Sequence, residues 1–465
     1  MKPILSVGEV RWAEARSGQS EIRMVEAAAK RLWDAAASFS PRRVRFLCGP
    51  GNNGADGYAA AILAQRWGAE TDVIAVYPPR SPACIHFAGQ WAREGFDGRP
   101  DVWVDAVFGS RFRPGDDPEM ERLKREIASS GAPVVAADVP SGLDADTGRA
   151  ARWAIPATIT VTMGFWKPGL LFGDGPDLCG EVRLAELGFE APEGAPLLLG
   201  PRDALAGYSP RRKNAHKNTY GHLLVLAGSE GMAGAAAMCA KAALRGGAGL
   251  VTVACPRACV PPVQAIVPEA MCVPTEEIRD WQAVFRGKTA MAAGPGYRGG
   301  AEDIEAVLRS GLPAVLDAGA LGILAREEEL RSLLSPIHVI TPHPGEAKRL
   351  IPDLPEDPLE AARALARLGA VAVYKGHSTV IAGKGVAVSR SGCPGMAKGG
   401  SGDALTGLIG ALLCQGLDPE TAARCADEAH GLAGEAAQAQ WGDVSMTAMD
   451  LIGQVPDAIR RIRER

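Results

Sequence analysis

Along this chain short, unbroken apolar runs alternate with longer stretches in which apolar residues recur every three or four positions. Unbroken runs bounded by Gly, Pro or Asp read as strands buried on both faces, and the spaced pattern reads as helix. VRFLCG (44–49), DVIAVY (72–77), VWVDAVFG (102–109) and PVVAADVPSG (133–142) are the first set of strands, each running into a loop. AAAILAQRWG (59–68) and PEMERLKREIASSG (118–131) are helices between them. A second series starts at GHLLVLAGS (221–229), with a helix over AGAAAMCAKAALRGGAG (233–249). VTVAC, TAMAAGPG, PAVLDAGAL, IHVITPHPGE and VAVYKGH follow as strand-plus-loop units, and long Ala-rich helices after Ser401 close it. Strands alternating with helices predict an α/β fold with parallel sheets covered on both faces. The Pro-, Gly- and charge-rich stretch over 190–212 separates the two series, which predicts domains at 1–200 and 201–465. SEIRMVEAAAKRLWDAAA (20–37) is an amphipathic helix, open to packing on its own domain or to an oligomer contact.

Composition narrows the function rather than the fold. A chain of 465 residues with 47% hydrophobic and 22% charged content is an ordinary multidomain globular protein. A net charge of −4 disfavours nucleic acid or a membrane surface as partner, because both reward a basic face. MKPILSVGEVRWAEARSG has no long apolar run and carries acids early, so neither a secretory signal nor a spanning helix is expected, and the expected location is cytoplasmic. The ten cysteines are scattered with no CxxC pair, which fits buried reduced thiols better than a zinc site or disulfide framework.

The candidate chemistry sits in loops after strands, where ligands of open α/β sheets bind. CGPGNNGADGYAAA (48–61) matches G-x-G-x-x-G through Gly49, Gly51 and Gly54, with an added polar load of Asn52, Asn53 and Asp56. These side chains offer oxygens to a cation or hydrogen bonds to a ribose or carboxamide. An Asx-turned loop capping a helix accounts for them equally well. Asp105 ends a buried strand, and Asp138 and Ser141 end another. Strand ends bearing Asn53, Asp105 and Ser141 can converge on one hard cation with oxygen ligands, leaving Asp138 as an acid/base.

In the second half, GGSGDALTG (399–407) enters a helix. Backbone N–H groups and the helix dipole there suit a phosphate. A carboxylate at that place repels phosphate, so Asp403 reads as a base toward a hydroxyl brought to the phosphate, with a helix N-cap as the alternative. TPHPGE (341–346) places His343 and Glu346 at a strand end, and YKGHST (374–379) places Lys375 beside Gly376. GKT (287–289) lacks the glycine that a Walker A lysine needs and is set aside.

NNGADG, DAVFG and DVPSGLD together resemble the NAD(P)H-hydrate epimerase domain, a Rossmann-like fold. That resemblance implies a potassium ion on Asn53, Asp105 and Ser141. It implies substrate contacts at Asn52, Asn53, Gly54, Ala55 and Asp56, at Gly109, Ser110, Arg111, Phe112, Arg113, Pro114 and Gly115, and at Asp138. HKNTYGHLLVLAGS, TPHPGE, KG-x-x-T and GGSGD resemble the ADP-dependent NAD(P)H-hydrate dehydratase, a ribokinase-like fold. This implies hydrate contacts at Ala235, Gly296, His343 and Asp403. It also implies adenine-nucleotide contacts at Lys375, Gly376, His377, Ser378, Thr379 and Gly402. The two domains in this order resemble the bifunctional NAD(P)H-hydrate repair family. That family epimerises hydrated NADH and NADPH and dehydrates the S form at the expense of ADP. ADP is then the phosphate donor, and phosphoryl transfer calls for a magnesium ion, for which no clear ligand set is visible. A homo-oligomer acting on small molecules is expected. The chain departs from the family pattern at Ala55 and Arg111, at Gly319 and Gly322 in VLDAGALGIL, and at Lys398, which is expected to add charge near the phosphates. A vitamin-type small-molecule kinase and a non-catalytic binding scaffold are the competing readings.

Overall fold

A computed structural model describes residues 1–92, 95–110 and 115–464. The chain forms two compact units, one over Lys2–Pro196 and one from Leu197 onward.

The first unit is a six-stranded parallel sheet in the order Glu70–Ala75, Arg43–Cys48, Val102–Ala106, Val134–Ala137, Ile159–Met163, Glu181–Ala185. The chain starts in the interior of the sheet at Arg43–Cys48 and builds outward on both sides, which makes a topological switch point there. Val102–Ala106 and Val134–Ala137 are buried along their whole length, as expected for strands covered on both faces. The amphipathic helix, Glu21–Ala37, spends its apolar stripe on its own unit. Val25, Ala28, Ala29, Leu32 and Trp33 join the core with Val44, Phe46 and Val104. Asn52–Arg66 starts immediately after Arg43–Cys48 and lies so close to it that a Cβ on Gly54 would stand 2.0 Å from the Gly49 carbonyl oxygen.

The second unit carries a mixed sheet. Five neighbouring parallel strands occupy its middle: Val371–Tyr374, His338–Ile340, Ala314–Leu316, Ala290–Ala293 and His222–Leu226. Leu250–Cys255 and Met271–Pro274 extend it in parallel on one side. On the other side Thr379–Ala382 and Val386–Ser389 form an antiparallel hairpin, which the βα alternation does not predict. Gly383-Lys384-Gly385 is too short for a crossover helix and permits only a tight reversal, so the pairing must be antiparallel.

Small residues set the helix packing. Ser401–Cys414 is buried from Ala404 to its end and crosses Ala233–Arg245 closely enough that a Cβ on Gly407 would meet the Cys239 carbonyl oxygen at 2.2 Å. Leu405, Leu408, Ile409 and Leu412 on this helix are each buried in the core, worth about 1.5–3 kcal/mol apiece. That packing holds the glycine-rich start of the helix in register with the strand ends. Among the described residues no helix is long and apolar enough to cross a membrane, and all ten cysteines are unpaired.

Candidate active sites

In the first unit the segments that follow four neighbouring strands line a cavity of about 570 Å³, with Asn52, Asn53, Asp56, Gly109, Ser110, Gly115, Asp138 and Lys167 among its walls. Asp138 follows Val134–Ala137 with φ +66°, a left-handed conformation that non-glycine residues adopt at a cost. One carboxylate oxygen accepts from Lys167 Nζ at 2.5 Å and the Met163 N–H at 3.2 Å, and the other from the Ser110 N–H at 3.1 Å. Burial alone would raise its pKa, but Lys167 and these donors hold it below the ordinary carboxylate value. Asp56 faces the same cavity with the opposite balance. Burial, then the nearby Asp138 and Glu14 charges, push it well above the ordinary value.

Asp105 and Ser141 meet as the sequence suggested. Ser141 donates its hydroxyl at 2.6 Å and its N–H at 2.8 Å to the Asp105 carboxylate, and the Val107 N–H donates at 3.3 Å. All three donors are neutral, and burial pushes this carboxyl up to about 6. Asn53 lies against Gly109, where a Cβ would stand 3.1 Å from its Oδ1 and 3.3 Å from Asp138 Oδ2. The buried Asn53 Nδ2 has no partner among the described residues. Asn52 donates to Glu21 Oε1 at 2.6 Å. Gly54 and Ala55 serve packing instead of the cavity: the Ala55 methyl is in the core because that face of the helix turns to the sheet. Arg111, Phe112, Arg113 and Pro114 lie outside the described residues. Lys167 escaped the sequence reading. Its signal was a single lysine inside the apolar run TMGFWKPGLLFG (162–173).

In the second unit the five middle strands place their following loops side by side. Ala235 and Gly296 come together, a Cβ on Gly296 lying 2.9 Å from the Ala235 methyl. His343 caps Pro344–Leu350, its Nδ1 accepting from the Gly345 N–H at 3.0 Å while Glu346 accepts from the His343 N–H at 3.0 Å. That capping duty explains the pair without any ligand. Gly376 and His377 are exposed, Ser378 is buried, and the Thr379 hydroxyl bonds the buried Asp427 carboxyl, which burial pushes up to about 6.

Asp403 is the third residue of Ser401–Cys414, not its cap. The cap is Gly400, with φ +100° and no side-chain bond, so the helix start keeps uncapped N–H groups. Burial, and next the charge of Asp317, push Asp403 up to about 6 against the pull of Lys375. Lys375 Nζ donates to Asp317 Oδ1 at 2.9 Å, and Thr406 Oγ1 donates to Asp317 Oδ2 at 2.8 Å. Asp317, two residues before Gly319, is buried, and the sequence reading does not single it out. A Cβ on Gly319 would stand 2.1 Å from the Tyr297 carbonyl oxygen, so this backbone has no room for an acid there. Lys398 does not face a phosphate site: its Nζ donates to the Val444 and Met446 carbonyls at 2.5 and 2.7 Å.

Strand-end carboxylates, lysines and an uncapped glycine helix start are the equipment of an α/β enzyme that moves protons and phosphates on nucleotides. A family model described as NAD(P)H-hydrate dehydratase matches residues 223–457, and one described as YjeF-related protein N-terminus matches residues 18–169. The bifunctional NAD(P)H-hydrate repair enzyme of Escherichia coli K12 is 35% identical over 443 residues, 87% of this chain and 82% of its own. That of Coxiella burnetii is 33% identical over 478 residues, 96% of each chain. Among solved structures, the ADP/ATP-dependent NAD(P)H-hydrate dehydratase of Bacillus subtilis, co-crystallised with ATP and Mg2+, is 30% identical. It has a TM-score of 0.51 and covers 58% of this chain and 100% of its own. The chain belongs to the family of bifunctional NAD(P)H-hydrate repair enzymes.

Proposed function

We propose that the chain repairs hydrated NADH and NADPH, the first unit interconverting the R and S hydrates and the second dehydrating the S form with ADP. The observation that carries this reading is Asp403. It is a carboxyl of pKa about 6 beside uncapped helix N–H groups and a lysine, a base poised near neutral pH at an anion site.

Hydroxide is a poor leaving group, so the carbon-6 hydroxyl must be activated. Asp403 takes its proton, and the oxygen attacks the terminal phosphate of ADP, held by Lys375 and the N–H groups of the helix start. AMP leaves. The carbon-6 phosphate then departs as the ring nitrogen lone pair forms a double bond to carbon 6, and loss of a carbon-5 proton restores the dihydronicotinamide. Positioning and electrostatics supply most of the help in such a transfer. In the first unit Asp138, kept ionised by Lys167, exchanges protons at the hemiaminal while carbon 6 inverts.

Asn53, Asp105 and Ser141 would hold a potassium ion. They fit it: the donors are oxygens, and Asp105 is a fully buried carboxylate whose hydrogen bonds, among the described residues, come from neutral groups. A bound cation would supply a counter-charge and tie together the helix start, strand end and loop that carry these residues. ADP is the proposed donor; the Bacillus relative is described as ADP/ATP-dependent.

The test is to incubate the full-length protein with hydrated NADH and ADP and follow reduced-nicotinamide absorbance, AMP and phosphate. All three should rise together. A small-molecule kinase would leave a stable phosphorylated product and no NADH, and a binding scaffold would yield nothing.

A further inference from the structure

We propose that Asp317, buried at the end of Ala314–Leu316, is a positioning residue for the phosphoryl transfer, clamping Lys375 with one carboxylate oxygen and the helix that bears Asp403 with the other. The inference rests on the reading of Asp403 as the base.

The clamp is built from both sides. Lys375 Nζ lies 2.9 Å from Oδ1 and Thr406 Oγ1 lies 2.8 Å from Oδ2. Thr406 stands three residues after Asp403, on the same face of the helix, so a bond at Thr406 fixes the rotation that aims Asp403. The backbone is shaped for this. Ala318, immediately after Asp317, has φ +43°, and a Cβ on Gly294 would meet the Asp317 carbonyl oxygen at 1.8 Å. Gly402 completes the arrangement: a side chain there would begin 3.3 Å from Lys375 Nζ and 3.5 Å from Asp317 Oδ2. A left-handed alanine costs free energy and persists where its surroundings demand it.

The clamp has an electrical consequence with a definite sign. Asp317 is held ionised by Lys375 in spite of burial, and its charge raises the Asp403 pKa while Lys375 lowers it. The other titratable groups facing this cluster are Cys239 on Ala233–Arg245, pushed well up by burial, and His430 on Pro419–Trp441, pushed down to about 4. Neither changes charge near neutral pH. Replacing Asp317 by Asn removes the repulsion and leaves the lysine, so Asp403 must become more acidic.

The experiment measures kcat and KM against pH for S-hydrate dehydration at saturating ADP, in the full-length protein, for wild type, Asp317→Asn and Thr406→Val. Dehydration requires ionised Asp403, so the rate falls on the acid side through its pKa. In Asp317→Asn this acid limb should move to lower pH, with kcat reduced up to about 100-fold by the loosened lysine and a smaller change in KM. Thr406→Val keeps every charge, so its limb should stay in place while kcat falls about 2- to 10-fold through one lost hydrogen bond. The thermal unfolding transition of the second unit in the same samples checks that it is folded. An unmoved limb in Asp317→Asn, whatever its kcat, reduces Asp317 to a structural residue and overturns the proposal. Should Asp317→Asn not fold, an unchanged kcat in Thr406→Val overturns it as well. A wild type that makes no NADH, or an Asp403→Asn variant that still does, would instead refute the function on which the inference rests.

Discussion

Each unit holds two carboxyls of opposite character, and the units differ in which one does the proton work. In the first, Asp138 is paired with Lys167 and held ionised, while Asp56 is pushed well up by burial and by Asp138 itself. In the second, Asp317 is paired with Lys375 and held ionised, while Asp403 is pushed up to about 6. The proposed acid/base is the lysine-bound carboxylate in the first case and the free one in the second. A bound lysine makes a carboxylate dependable as an anion but weaker as a base. A hydroxyl that must attack phosphate needs the stronger base near neutral pH, and a hemiaminal that exchanges protons reversibly tolerates the weaker one.

The comparison breaks most sharply if the two acids are removed separately. Asp403→Asn should slow ADP-dependent dehydration of the S-hydrate by about 100- to 10,000-fold and leave R-to-S conversion intact. Asp138→Ala should do the reverse, returning R-hydrate consumption to the spontaneous rate while S-hydrate turnover continues. Loss of both activities in either variant would mean that the two sites are not independent. Next in size is Lys167→Met. Removing the cation from a buried pair strands Asp138, so the first unit should lose about 3–5 kcal/mol in denaturant unfolding, and its epimerase acid limb should move to higher pH as Asp138 loses the charge that kept it acidic. Stability unchanged by this substitution would show that Asp138 does not depend on the lysine. The smallest effect belongs to Lys398→Ala. Its ammonium is taken up by two carbonyls, so the KM for ADP should hold while melting temperature drops slightly. A raised KM would return Lys398 to the phosphates.

Much of this was legible in the chain because α/β enzymes place chemistry at strand ends, and strand ends are local features. DVPSG stands in the loop after its strand, TPHPGE and GGSGD run from such a loop into a helix start, and NNGADG forms the first turns of Asn52–Arg66. Lys167 and Asp317 were not legible for one reason: each acts through a partner far along the chain. Asp138 and Lys167 are 29 residues apart, and Asp317 and Lys375 are 58 apart, with no periodic pattern joining them. Gly319 misled for the converse reason. It stands out as a departure from the family pattern, but the Tyr297 carbonyl fills the space where a side chain would begin. His343 was legible as a strand-end residue, and the structure adds that its ring already serves the backbone of its own helix.

The sequence by itself determined two α/β units, the strands that build their cores and the strand-end segments that carry Asp138 and Asp403, because burial pattern and turn residues are written at short range. Only the tertiary structure decided which carboxyls are ionised at neutral pH. Charge state depends on what stands within a few ångströms in a medium that screens poorly, and folding brings Lys167 and Lys375 to that distance.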